Sequence, residues 1–68
     1  MDFRITGDMI RLGQLLKAAD LVASGAEVKD LLAQETVTVN GEPENRRGRQ
    51  LTRGDVVRVG DEDEITVV

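Results

Sequence analysis

The chain has 68 residues, with no cysteine, no histidine, a single aromatic side chain (Phe3) and a formal net charge of -4. Those absences exclude disulfides, thiolate nucleophiles, Cys/His zinc sites and imidazole bases, and the length leaves no room for an enzyme cleft beside a separate supporting core. With 40% hydrophobic and 32% charged residues, it reads as one globular domain over residues 1–68.

Asp2 to Ile5 alternates weakly and predicts a short strand with Phe3 and Ile5 on one face. Asp8 offers a helix cap. Leu12, Leu15, Leu16 and Ala19 follow at i, i+3, i+4 and i+7, one face of a helix expected from about Met9 to Ala18. Ser24-Gly25-Ala26-Glu27 fits the S-x-x-E capping box, in which the Ser24 hydroxyl accepts from the Glu27 N–H and Glu27 reaches back to the Ser24 N–H. Val28, Leu31 and Leu32 give the buried face of that second helix.

The period changes at Thr36. Thr36 to Val39 alternates polar and apolar, as a half-buried strand does. Asn40-Gly41 is a turn dipeptide because both residues tolerate positive φ. Pro43 disfavours a central strand position. Asn45 to Gln50 is polar and basic, hence a surface loop, and Leu51 returns to the core. Arg53-Gly54-Asp55 predicts a turn, Val56 to Val59 a strand, Gly60 to Asp63 another turn, and Ile65 to Val68 a last strand. No apolar run approaches the ~20 residues that span a bilayer. The first residues, MDFRITGDMIRLGQ, lack the apolar core of a secretory signal, so a cytoplasmic protein with no membrane partner is expected.

Charge is unevenly placed. Residues 1–44 sum to -4, residues 45–58 to +4 and residues 59–68 to -4. A phosphate senses the local field within about a Debye length, ~8 Å at physiological salt, and not the formal total. Arg46, Arg47 and Arg49 fall within four positions, and guanidinium forks donate bidentately to phosphate oxygens. The alternative is a solvated loop whose arginines pair with Glu42, Glu44 and Asp55.

In order, Arg11-Leu12-Gly13-Gln14-Leu15-Leu16-Lys17, Ser24-Gly25-Ala26-Glu27-Val28-Lys29, Val37-Thr38-Val39-Asn40-Gly41 and Leu51-Thr52-Arg53-Gly54-Asp55-Val56-Val57 resemble an S4-type RNA-binding domain, in particular the small bacterial proteins that consist of little else. The resemblance covers nearly the whole chain. It implies an α+β fold, the αL motif, in which a two-helix hairpin packs on a small twisted, mainly antiparallel sheet. It also implies a cytoplasmic, ribosome-associated binder of structured RNA, ribosomal RNA by analogy. Carried over by position, the RNA-binding candidates are Arg11 and Lys17 on the first helix, and Ser24 and Lys29 on the second. Asn40, Arg46, Arg47, Arg49 and Arg53 come from the turn and basic loop. Gly25 stands where many such domains carry arginine.

Each candidate also has a plainer role. Lys17 and Lys29 suit any exposed helix face, Ser24 is a cap, and Asn40 is a turn former. With Phe3 assigned to the core, no aromatic platform remains for stacking bases, so phosphates, 2′-hydroxyls and helix shape are the expected means of recognition. Asp61/Asp63 lie in an exposed turn without an accompanying base or nucleophile, so no catalysis, metal, cofactor or small-molecule substrate is expected, and the protein is expected to be a monomer. Two rival functions are a protein-docking module for an acidic partner or ribosomal protein, and a β-grasp sulfur carrier. VTVNGEP followed by L-x-x-GD-VV is similar to the later part of such carriers. They end in Gly-Gly, however, whereas Ile65-Thr66-Val67-Val68 reads as a strand, and two leading helices do not suit that fold.

Overall fold

The structure, a computed structural model, describes all 68 residues. In chain order the elements are β1 (Asp2–Phe3), β2 (Ile10–Arg11), α1 (Leu12–Ala18), α2 (Gly25–Ala33), β3 (Val37–Val39), β4 (Glu42–Pro43), β5 (Gln50–Leu51), β6 (Val56–Val59) and β7 (Asp63–Val67). Five strands form one sheet in the order β1-β7-β6-β3-β4, and β2 pairs with β5 in a separate two-stranded ribbon. Every pairing is antiparallel except β1 with β7. The α+β expectation, a helical pair on a mainly antiparallel sheet, therefore describes the molecule.

Strand alternation sets the sheet's inner face. Val37, Val39, Val57, Ile65 and Val67 are buried, while Thr38 and Arg58, paired across β3 and β6, point the other way. Leu12, Leu15 and Leu16 of α1 and Val28 and Leu32 of α2 cover that inner face and, with Ile5, Val22 and Leu51, close a single core. Phe3 is half-buried against its edge.

Helix α1 begins later than its periodicity predicts. Asp8 does not cap it. Ile10 and Arg11 are instead held as a strand opposite Leu51 and Gln50, and Arg11 becomes the N-cap residue. The Gln14 side-chain carbonyl accepts from the Arg11 N–H at 3.0 Å. The helix ends in a Schellman arrangement: Asp20 donates to the Lys17 carbonyl and Leu21 to the Leu16 carbonyl, with Asp20 at φ 64°. Helix α2 starts where Ser24 predicts, its hydroxyl accepting from the Glu27 N–H at 3.3 Å. Glu27 reaches back one residue further than expected, accepting from the Ala23 N–H at 2.7 Å.

Asn40 and Gly41 both have positive φ, 53° and 86°, as the two-residue β3–β4 hairpin requires. Pro43 sits on the edge strand β4, where no neighbour needs its missing N–H.

Candidate nucleic-acid interface

The basic loop, Asn45 to Arg49, is organised by one carboxylate. Glu44 is 8% exposed and is the one buried charged residue of the chain. Its Oε2 accepts from the backbone N–H groups of Asn45 and Arg46, both at 3.1 Å, and from Arg46 Nε at 3.0 Å. Its Oε1 accepts from Arg46 Nη2 at 3.1 Å and Arg49 Nη1 at 2.8 Å. Five donors on two oxygens leave no unsatisfied polar atom at this buried position.

The other side of the loop docks on α1. The Leu12 N–H donates to the Arg49 carbonyl and the Gly13 N–H to the Arg47 carbonyl, both at 2.9 Å. The approach is close: a Cβ on Gly13 would lie 3.4 Å from Arg47 Cβ, the Arg47 carbonyl oxygen and Val28 Cγ1, at the tight edge of ordinary contact. The first N–H groups of α1 are thus used by the loop.

Arg47 emerges between two adjoining grooves. One, of about 360 Å³, lies between α1, the start of α2 and the loop, and is lined by Arg11, Gln14, Lys17, Gly25, Arg47 and Gly48 among others. The second, of about 470 Å³, lies between α2 and the loop and is lined by Lys29, Leu32, Ala33, Glu35, Asn45 and Arg47. Arg47, Lys17 and Lys29 are exposed and none has a carboxylate partner. Arg11 is also exposed, its Nη1 donating to the Gly48 carbonyl at 3.4 Å.

The remaining candidates have structural engagements. Arg46 and Arg49 are ion-paired to Glu44, with side chains 71% and 33% exposed. The pairing alternative read from the sequence therefore describes two arginines of the run and, of the three acids it named, Glu44. Arg53 Nη2 donates to the Ile5 carbonyl at 3.2 Å, away from the grooves. The Asn40 Nδ2 donates to Asp55 Oδ1 at 3.0 Å, and its Oδ1 accepts from the Val56 N–H at 2.9 Å. Ser24 is the α2 cap, next to Gly25 in the first groove. Arg58 pairs across the sheet with Glu64 at 2.9 Å, and the acidic turn lies by Met1 and Leu21, outside both grooves.

Residues 3–68 match the S4 domain family. The chain belongs to that family. Over 55 residues this S4 domain is 53% identical to a Bacillus subtilis (strain 168) protein named "Probable ribosome maturation protein RlbA", an alignment covering 81% of this chain and 78% of the relative. No helix of the S4 domain is long and apolar enough to cross a membrane.

The Glu44 carboxyl is held well below the usual carboxylate range, first by the Arg46 side chain, then by the Arg49 side chain and the Arg46 backbone N–H, against an opposing effect of burial. Folding therefore favours the ionised form. Its contribution to stability is complete above the unfolded value near 4.5 and is lost as pH falls below it. Urea denaturation midpoints are expected to be flat from about pH 7 to 6 and to decline from about pH 5 downwards. Replacing Glu44 by Gln is expected to flatten that acid-side decline. An unchanged decline in the variant would remove Glu44 from this account.

Proposed function

We propose that this S4 domain grips structured RNA, with ribosomal RNA undergoing assembly as its target, through Arg11, Lys17, Lys29 and Arg47. The supporting observation is the placement of four cations from three separate chain segments around adjoining grooves, none of them with a carboxylate partner. Cations without partners do not exchange one ion pair for another on meeting phosphate, and they release condensed counterions from the RNA. The name of the relative supports the ribosome as the setting. On this reading the module acts by binding, as a monomer in the cytoplasm, without cofactor or small-molecule substrate.

Compared with the sequence expectation, the surface contracts. Arg46 and Arg49 build the loop, Asn40 holds a turn, Arg53 bonds the Ile5 carbonyl, and Ser24 caps a helix. The grooves contain no aromatic ring, so a folded hairpin or junction suits them better than a splayed single strand.

The test is a salt titration of binding to a ribosomal RNA junction and to an unstructured strand of equal length. With four phosphate contacts, log K against log salt should have a slope between about -2.8 and -3.6, and the junction should bind more tightly. A slope near zero, or capture of a protein partner that survives nuclease treatment, would assign the grooves to protein docking.

A further inference from the structure

Two geometric facts about the basic loop point beyond the cations themselves. Glu44 is tied to the sheet, its N–H donating to the Val37 carbonyl at 3.0 Å. Three and five positions later the loop is tied to α1 through the Arg47 and Arg49 carbonyls. The Glu44 carboxylate spans the arc between these two anchors by holding Asn45, Arg46 and Arg49 together. Arg47 is the arginine of the run whose side chain takes no part in this closure, and it is the one that lines both grooves.

We propose that Glu44 is the positioning residue of the interface: by clamping Arg46 and Arg49 it fixes the loop against α1 and so places Arg47 between the two grooves. This inference rests on reading the grooves as an RNA surface. Glu44 itself touches no RNA. It is an acid that strengthens binding to a polyanion, and this reverses the sign that charge alone would give.

That reversal is the test. E44Q and E42Q each remove one negative charge from the neighbourhood of the loop, and Glu42 is exposed on the edge strand. Charge alone tightens RNA binding in both. Positioning predicts that E42Q binds as well as the parent or slightly better, while E44Q binds roughly ten-fold more weakly, the equivalent of about one charge-assisted hydrogen bond. Affinities are to be scaled to the folded fraction measured by circular dichroism, so that simple unfolding does not count as support. If E44Q tightens binding as E42Q does, the proposal is overturned.

Two further readouts separate positioning from phosphate contact and from a general loss of stability. Arg47→Gln should make the salt slope shallower by about 0.7–0.9, whereas Arg46→Gln should weaken binding without changing the slope. A shallower slope in Arg46→Gln would make Arg46 a phosphate ligand and defeat the clamp. Independently of RNA, amide exchange at Leu12 and Gly13 should accelerate roughly ten-fold in E44Q while Val57 and Ile65 keep their protection. Unchanged exchange at those two amides overturns the clamp. Failure of the parent domain to bind structured RNA overturns the functional reading and leaves the exchange experiment to decide the role of Glu44.

Discussion

Replacing Lys17, Lys29 and Arg47 together by Gln is expected to weaken binding to structured RNA by roughly 10²–10³-fold at about 0.1 M salt, and to bring the salt slope close to -1. The magnitude follows from counterion release. Each phosphate neutralised contributes about 0.7–0.9 to the slope, which amounts to nearly ten-fold per contact at that salt. All three side chains are exposed and without carboxylate partners, so the folded state loses no ion pair when they are replaced. Thermal midpoints should therefore stay within a few degrees of the parent. Gly25→Arg provides the opposite arm. A Cβ at Gly25 meets nothing within 4 Å and the residue lines the first groove, so a guanidinium can be added there without displacing a neighbour. It is expected to tighten binding and steepen the slope by about 0.7–0.9. If the triple variant keeps its affinity, the grooves are not where RNA lies.

The elements that were legible in the sequence are those specified by their own neighbours. The start of α2 is marked by Ser24 and Glu27, three residues apart, and the β3–β4 turn by two adjacent residues that accept positive φ. The start of α1 was misplaced because its determinant is distant. Ile10 and Arg11 look like the first turn of a helix until Gln50 and Leu51, some forty residues on, pair with them. Both helices end on acidic residues at positive φ, Asp20 at 64° and Glu35 at 59°, where glycine is the usual stop signal. No local pattern marked either residue.

The candidate site was legible as charge and not as geometry. A count along the chain treats Arg46, Arg47 and Arg49 as equals, although two of them face a buried carboxylate and one faces solvent. Glu44 lies in a polar run, EPENRRGR, where nothing indicates burial. Its position depends on β4 pairing with β3 and on donors that converge only in the folded loop. The available signal was an acid two positions before the first arginine, one of the three internal partners read from the sequence. Glu35 is the one acid that lines either groove and the acidic turn lies outside both, so the overall surplus of carboxylates does not decide what the grooves attract.

Asn40→Ala is expected to destabilise the domain by about 2 kcal/mol, roughly 10 °C in thermal midpoint, while leaving the RNA salt slope unchanged. In sequence, VNG and GD-VV are two separate turn signals; in the fold they form one joint. The Asn40 N–H donates to the Val56 carbonyl at 2.7 Å and its side chain accepts from the Val56 N–H, so both backbone groups of Val56 end on one residue. The Asn40 amide also donates to Asp55, whose other oxygen accepts from the Thr52 N–H at 2.8 Å. Alanine loses the two side-chain bonds, and with them the local polar bonding that offsets a Cβ at φ 53°, a conformation that costs about 1–2 kcal/mol for most residues. Asn40→Gly relieves the second cost and not the first, so its midpoint should lie between those of the parent and the alanine variant. The joint has an acid-side signature too. The Asn40 amide, and then the Thr52 N–H, hold the Asp55 carboxyl below its ordinary 3.8, so its contribution is present above that pH and lost below it. Asn40→Ala should remove part of that loss. A variant that keeps its stability but binds RNA with a shallower salt slope would make Asn40 a contact to RNA, and the joint between the two turns would then have to be held by backbone alone.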